Sequence, residues 1–328
     1  MSHYLENDIF PNATSLDYAL IGGLNFGVAM LAASPVNLIT RRFGPHLPMY
    51  LGILFQTSGF VAASFAHNHI YELYLSQGVL VGLGVGFLWI PSIAILPQWF
   101  EKRRSVANGI CSAGSGVGGI IFSFATAAVI RDISLAWALR ITGFTSCGLN
   151  LVAASLIRSR NAQIQPHLHP FDVRLFRRLN VCLLLSWGFV IMLGYVVLLY
   201  SLPDFSRSIG LSQSQGATVN AVLSLGTAIG RPCIGFISDR YGRIEVAGFT
   251  TLACAITVFA IWLPATSFGI LLFFALINGG ILGVFWMTIG PLCAEIAGLK
   301  QLPSLLSLAW ASVLLPTTCK FISSFVKD

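Results

Sequence analysis

The sequence predicts an all-α polytopic membrane protein with about ten transmembrane helices, and three observations predict it. Of its 328 residues, 55% are hydrophobic and only 9% are charged, where soluble domains carry about 25% charged residues. The mean hydropathy is +0.80. Ten segments are apolar for long enough to cross a hydrocarbon core of ~30 Å. These runs are roughly two to three times the length of a barrel strand and lack its alternation, so helices are the form that satisfies their backbone within lipid.

In chain order the spans cover about 17–40, 49–66, 72–97, 105–130 and 136–157, then 180–201, 213–237, 246–264, 268–293 and 304–326. The longest polar gap, about 158–179, separates five spans from five. The reading is therefore an N-terminal five-helix bundle over 1–160, a linker over 161–179 and a C-terminal five-helix bundle over 180–328. The net charge of +7 is sorted by side of the membrane and is not a nucleic-acid footprint. Thirteen basic residues (Arg41, Arg42, Lys102, Arg103, Arg104, Arg158, Arg160, Arg174, Arg177, Arg178, Arg240, Arg243 and Lys300) fall in one set of gaps. Three (Arg131, Arg207 and Lys327) fall in the other. The positive-inside rule puts the first set in the cytoplasm and both termini outside. The glycosylation sequon Asn12-Ala13-Thr14 is then on the outer side, close to the first span. Residues 1–16 are polar and net acidic, without the pattern of a cleavable signal peptide.

The seven cysteines all lie in spans without CxxC or metal spacing, and the six histidines lie in loops or the tail. They read as packing and loop residues, with no metal and no cofactor expected. No span carries a His/Asp/Glu cluster or a nucleophile-base pair, so the chain does not read as an enzyme.

The residue that carries chemistry is Arg231, embedded in the seventh span. A charge at the membrane centre costs ~3 kcal/mol or more, so such residues face a bundle interior or a water-filled path. Counting back by four, three and four residues gives Thr227, Ser224 and Asn220 on the arginine's face, the wall of a polar pathway. A snorkelling or ion-paired structural arginine is the competing reading. Tyr18, Gly22, Asn25 and Ala29 form a second polar and small stripe on the first span. Asn278, Trp286 and Thr288 are cavity candidates on the ninth, and Arg140 sits near the outer end of the fifth. Lys320 lies within the last span, with no role assigned.

The chain repeats itself. Thr40-Arg41-Arg42-Phe43-Gly44 closes the first span and Ser238-Asp239-Arg240-Tyr241-Gly242 closes the seventh, 198 residues later. The later copy reads Gly-x-x-x-Asp-Arg-x-Gly-Arg from Gly235 to Arg243, which resembles the loop signature of the major facilitator superfamily. The resemblance implies a two-bundle helical transporter. It also makes the first span that family's second helix, so the sequence reads as lacking the first and twelfth. It implies a gate in which Asp239, Arg240 and Arg243 meet the start of the fourth span near Lys102, Arg103 and Arg104.

Trp99-Phe100-Glu101-Lys102-Arg103-Arg104, continuing through Ala107-Asn108-Gly109 to Ala113-Gly114, is similar to the signature of the monocarboxylate transporters, with Arg231-Pro232 in the corresponding eighth helix. Phe10-Pro11, Leu16-Asp17-Tyr18 and Ala294 to Pro303 resemble its fungal members. In that family the arginine matching Arg231 binds the substrate carboxylate. The partnering aspartate of animal members is replaced by Thr227, and the first-helix lysine associated with coupling falls outside the sequence. The expectation is a secondary transporter of small organic anions, with monocarboxylates as substrates, a proton as candidate co-substrate, and the bilayer as its surroundings. The plasma membrane is the expected location and an organelle membrane the alternative. Competing readings are transport of another solute such as riboflavin, and a non-transporting sensor or remnant.

The charge partition predicts that a tag placed within 160–175 is reached by protease only from the cytoplasm and a tag at residue 3 only from outside. Cleavage of the central loop from the outer face would overturn the topology.

Overall fold

The computed structural model of the chain describes residues 10, 13–66, 69–166 and 172–318. Among the described residues its regular elements are all helical. They are α1 (Ser15–Leu31), α2 (Ala33–Phe43), α3 (His46–Ala63) and α4 (Ile70–Leu73), which passes through a π-helical turn (Tyr74–Leu80) into α5 (Val81–Trp99). Then come α6 (Arg104–Asp132), α7 (Leu135–Leu156), the single turn α8 (Asn161–Ile164), α9 (Leu179–Ser208) and α10 (Gln213–Tyr241). Last are α11 (Arg243–Thr257) with a second π-helical turn (Val258–Trp262), α12 (Phe268–Leu282) and α13 (Val284–Thr318).

Seven stretches of the described residues are long and apolar enough to cross a membrane, and the chain is an integral multi-pass protein. The last of these, Phe268–Pro316, is 49 residues long and holds two helical runs parted at Gly298, whose φ of 71° and ψ of 167° break the helix. The spans read over 49–66 and 136–157 are helical as α3 and α7 but less apolar, because α3 carries His46 and Gln56 and α7 carries Arg140 and Asn150. Lys320, Cys319, Lys327, Asn12 of the sequon, and His3, His67, His167 and His169 lie outside the described residues.

The helix ends follow local chemistry. Thr14 and Asp17 close a capping box at α1, and Ser212 and Gln215 close another at α10, each satisfying donors that the first turn leaves without a partner. The two copies of the repeat end alike. Gly44 (φ 83°, ψ 173°) donates its N–H to Thr40 O and Gly242 (φ 111°, ψ 139°) donates to Ser238 O, again 198 residues apart.

The helices group into two compact units, one of residues 1–95, 125–189 and 303–328, the other of residues 96–124 and 190–302. In the first, Phe10, Tyr18, Ile21, Ala63, Ala66 and Leu73 form one apolar cluster and Met49, Ile53, Ile95 and Ala154 another. In the second, Leu198, Leu202, Val219, Leu271 and Phe274 form the core, with Trp262 stacked on Phe274.

Within the second unit α10 is gripped on two sides at glycines. On the α12 side, a Cβ at Gly226 would stand 2.3 Å from Leu276 O, at Gly230 2.3 Å from the Gly280 Cα, and at Gly279 2.1 Å from Leu223 O. On the α6 side, a Cβ at Gly109 would stand 2.6 Å from Arg231 O, at Gly116 2.5 Å from Ser224 O, and at Gly235 2.5 Å from Ser105 O. Small residues allow backbone-to-backbone approach where lipid supplies no hydrophobic drive between helices.

Gly44 and Gly242 occupy backbone conformations that are essentially glycine-only, at a cost of about 1–3 kcal/mol for other residues. Gly242→Ala should lower the thermal midpoint of the detergent-solubilised protein more than Gly44→Ala. A Cβ at 242 would also meet Glu245 Oε2 at 2.1 Å, whereas Gly44 has nothing within 4 Å. Gly194→Ala, in a helix and with nothing within 4 Å, should raise it, since alanine there stabilises the helix by about 0.5–1 kcal/mol. Equal shifts at all three positions would refute this reading.

Candidate functional site

Arg231 lies ten residues before the C-terminal end of α10, about 15 Å along the helix axis at 1.5 Å per residue. It does not snorkel, being only 6% exposed. Its Nη1 donates to Ser112 O at 3.0 Å and to Ser115 Oγ at 2.8 Å, both on α6. Its Nε is buried without a hydrogen-bond partner. Among the described residues no carboxylate lies within ion-pairing distance of it. A desolvated guanidinium is thus held by neutral acceptors at Nη1, while Gly283 packs against its Nε–Nη2 edge.

Arg231 is part of the wall of a cavity of about 220 Å³. Helix α10 contributes Leu223, Ser224, Thr227 and Arg231 to its wall, α6 contributes Ser115 and Gly116, α9 contributes Tyr195, and α12 contributes Gly279 and Leu282, with Gly283 at the break before α13. The hydroxyl protons of three wall residues are committed to backbone carbonyls: Ser115 to Ser112 O at 2.7 Å, Ser224 to Asn220 O at 3.0 Å, and Thr227 to Gly279 O at 2.9 Å. Ser224 and Thr227 keep acceptor capacity at the cavity wall, whereas Ser115 Oγ already accepts from Arg231, which brings N–H donors and permanent positive charge. Chemically the site suits a small solute with an anionic group at one end.

The sequence stripe is therefore kept in part. Thr227, Ser224 and Arg231 share the cavity, while Asn220 is exposed one turn beyond it and is not part of its wall. Trp286 stands behind the wall, its ring crossing that of Tyr195 edge to face at 6.2 Å. Asn278 is fully buried but turned toward α11, donating to Thr257 Oγ1 at 2.9 Å and accepting from Cys254 Sγ at 3.3 Å. Thr288 bonds its own helix at Val284 O. Tyr18 and Asn25 belong to the other unit, where Tyr18 is part of an apolar cluster and Asn25 donates to Gln77 O at 2.7 Å. Arg140 also belongs there, donating to Ser64 Oγ at 2.9 Å with Phe65 4.5 Å from its guanidinium carbon. Sequence reasoning did not single out Ser115, Tyr195 or Gly283. Ser112 and Ser115, spaced by three, were the readable signal, masked by the small residues around them.

The second constellation closes the end of α10. Asp239 accepts from the backbone N–H groups of Ser105 at 3.0 Å and Val106 at 2.9 Å, capping the first turn of α6 from another helix. Ser238 Oγ lies 3.2 Å from Ser105 Oγ. Arg243 holds the arrangement together, reaching Asp239 Oδ1 at 3.2 Å, Glu295 Oε2 at 3.2 Å and Glu101 O at 3.0 Å. The cation partner of Asp239 is thus Arg243 rather than Lys102 or Arg103, which are exposed. Arg104 folds back onto Phe100 O and Pro97 O, and Arg240 lies over its neighbour Tyr241. Of the expected gate residues, Asp239 and Arg243 meet the helix start, and the others flank it. Among the described residues six cysteines are free thiols and no group of His, Cys, Asp or Glu is arranged to hold a metal.

Comparisons with known proteins agree with this architecture. The chain is 37% identical over 315 residues to the protein named Probable transporter MCH2 of Saccharomyces cerevisiae, covering 94% of this chain and 66% of that protein. It is 32% identical over 297 residues to Uncharacterized transporter ESBP6 of the same yeast, covering 87% of this chain and 44% of that protein. The chain thus spans about two thirds of the length of the first and less than half of the second. Its fold matches the proton:xylose symporter XylE, solved with 6-bromo-6-deoxy-D-glucose, at a TM-score of 0.73 and 15% identity, over 100% of this chain and 84% of that one. The family model of the Major Facilitator Superfamily matches residues 9–315, and the chain belongs to that superfamily.

Proposed function

We infer that the chain is the transport core of a secondary active transporter that moves small organic anions, monocarboxylates foremost, by alternating access of its two bundles, 1–160 and 180–328, about the linker 161–179. The observation that carries this reading is the buried guanidinium of Arg231, which lines the cavity and has no carboxylate partner among the described residues. An anion entering the cavity supplies the missing counter-charge, and a carboxylate matches the planar fork in geometry as well as in sign. The names of the yeast relatives support transport without naming a solute. Tyr195, Thr227 and Ser224 shape the remainder of the berth. Position 227 carries no carboxylate, so a co-transported proton would ride on another group. The plasma membrane is the proposed site of action.

In this reading Asp239 and Arg243 are the latch that holds α10 to the start of α6 in one of the alternating states. The latch consists of polar contacts from one carboxylate to two N–H groups and a guanidinium, which a gate can break and remake.

Arg231→Lys keeps the charge and loses the fork. Uptake of labelled propionate by cells carrying the full chain should fall at least tenfold, with surface delivery preserved, and Arg231→Ala should abolish it. Measuring across pH with riboflavin as the neutral comparison separates the alternatives. Normal propionate uptake by either variant discards the anion reading, and uptake of riboflavin alone moves the assignment to a neutral solute.

Asp239→Ala removes both acceptors from the N–H groups of Ser105 and Val106, while Asp239→Asn keeps one. Transport should decline in the order wild type, Asn, Ala, and labelling of a cysteine placed at Ser238 should rise in the same order. The stability loss should stay near the ~0.3–2 kcal/mol of a helix-terminus charge. Unchanged labelling in both variants would mean that Asp239 is an ordinary loop charge.

A further inference from the structure

Arg140 is a cation within a span that the transport site does not use. It stands six residues after Ser134, the N-cap of α7, about 9 Å along the axis at 1.5 Å per residue, on the side that the charge partition puts outside. Side chains lean toward the N-terminus of their helix, so this one leans back toward the membrane surface. A tight seam between α7 and α3 fixes it. A Cβ at Gly143 would stand 2.9 Å from Phe60 Cβ, and one turn further out Arg140 Nε donates to Ser64 Oγ at 2.9 Å. Ser64 Oγ in turn donates to Val61 O at 2.7 Å. The rings of Phe65 and Trp137 have their centres 4.5 Å and 5.4 Å from the guanidinium carbon.

The far end of the guanidinium is uncommitted. Among the described residues neither Nη makes a hydrogen bond or an ion pair, and neither is shut inside the protein. Arg131, on the same side, differs, because Asp132 pairs with it at 2.8 Å. The surroundings of Arg140 are apolar and face outward. Phe65 is 63% exposed and Trp137 51%. From Trp137 the same face of α7 continues through Ile141, Phe144 and Val152, all exposed, and past Gly148, beside which a Cβ would meet open space. Ile141 to Val152 covers about 16 Å of helix, the depth of one leaflet of a ~30 Å hydrocarbon core.

We propose that Arg140 is the headgroup site of a bound phospholipid: its two Nη groups take the phosphate, Phe65 and Trp137 flank it at the membrane interface, and an acyl chain lies along the exposed face of α7 from Ile141 to Val152. Charge complementarity and the apolar face together select that occupant. A phosphate takes two donors of one guanidinium at once, aromatic rings favour the level where headgroup meets hydrocarbon, and the apolar face offers nothing to a soluble anion. An arginine that merely snorkels needs only to reach the surface. Here Ser64 and the two rings hold the guanidinium in one place, with its remaining donors presented together. All of these residues belong to the first compact unit and none to the wall of the Arg231 cavity, so the site is independent of the anion-transport reading.

The test uses the full chain purified in a phosphate-free non-ionic detergent, with dioleoyl phosphatidylglycerol as the probe and native mass spectrometry as the readout. Wild-type protein should retain at least fivefold more of this lipid than Arg140→Gln, and Arg131→Gln should stay within twofold of wild type. Where Arg140→Gln fails to fold, Arg140→Lys decides, since it keeps the charge and loses the paired donors; it should retain at least threefold less lipid than wild type. Dioleoylglycerol, which has the chains without the phosphate, should not stay bound. Glycerol phosphate, which has the phosphate without the chains, should not displace the lipid at equal concentration. Retention by the Arg140 variants equal to that of wild type overturns the site. Dioleoylglycerol retained as well as the phospholipid overturns it in favour of an unspecific apolar face, and displacement by glycerol phosphate overturns it in favour of a soluble phosphate.

Discussion

A guanidinium inside a membrane helix costs ~3 kcal/mol or more before any interaction is counted, and the second unit is built around meeting that cost. Helix α10 carries Arg231 and is held by backbone-close contacts to α6 at Gly109 and Gly116 and to α12 at Gly226 and Gly230. Those contacts fix the guanidinium to within hydrogen-bond tolerance of Ser112 O and Ser115 Oγ. A looser bundle would let the long side chain find water or a lipid headgroup. The glycines and the arginine are thus one device: the packing defines where the charge must stay, and the charge gives the packed surface a polar function.

The same economy operates at the end of α10. The first turn of α6 needs acceptors for its N–H groups, and Asp239 supplies two carboxylate oxygens from a neighbouring helix. The earlier copy of the repeat ends in the same glycine closure but has Arg41 where the later one has Asp239. A cation cannot cap a helix N-terminus, and Arg41 instead donates to the Ser304 side chain at 3.3 Å, with Asn37 donating to Ser307 Oγ at 2.7 Å. Backbone geometry has been conserved between the copies while the chemistry at the contact has changed sign. Such asymmetry gives the two loops different strengths and different dependence on salt.

The helices were legible in the sequence because apolar length is a one-dimensional signal, and the ten spans coincide with helices apart from ends that fall outside the described residues. Arg231 was legible for a related reason, since a charge in a long apolar run needs no partner to be noticed. The contact that closes the end of α10 was legible through Gly242 and Asp239, whose spacing repeats that of Gly44 and Arg41. Partners were not. That Asp239 pairs with Arg243 and not with Lys102 depends on how two helices cross, and that Asn278 turns to Thr257 rather than to the cavity depends on which face of α12 meets α11. Helical periodicity placed Asn220 in line with Arg231, but a stripe has no depth, and the cavity ends at Ser224. Tyr195 was invisible because one tyrosine in an apolar helix resembles any interface aromatic.

The distribution of donors and acceptors around the cavity bears on what kind of solute fits. Ser224 and Thr227 have each spent their proton on a carbonyl, so they offer lone pairs, and Arg231 offers net charge. A neutral solute could satisfy the hydroxyl oxygens yet would leave the guanidinium, only 6% exposed, without counter-charge, so its desolvation would be carried through the bound state as well. An anion removes that burden on entry. In the proposed function, discrimination between a carboxylate and its uncharged analogue comes mainly from the buried charge of Arg231, with the number of new hydrogen bonds as the smaller contribution.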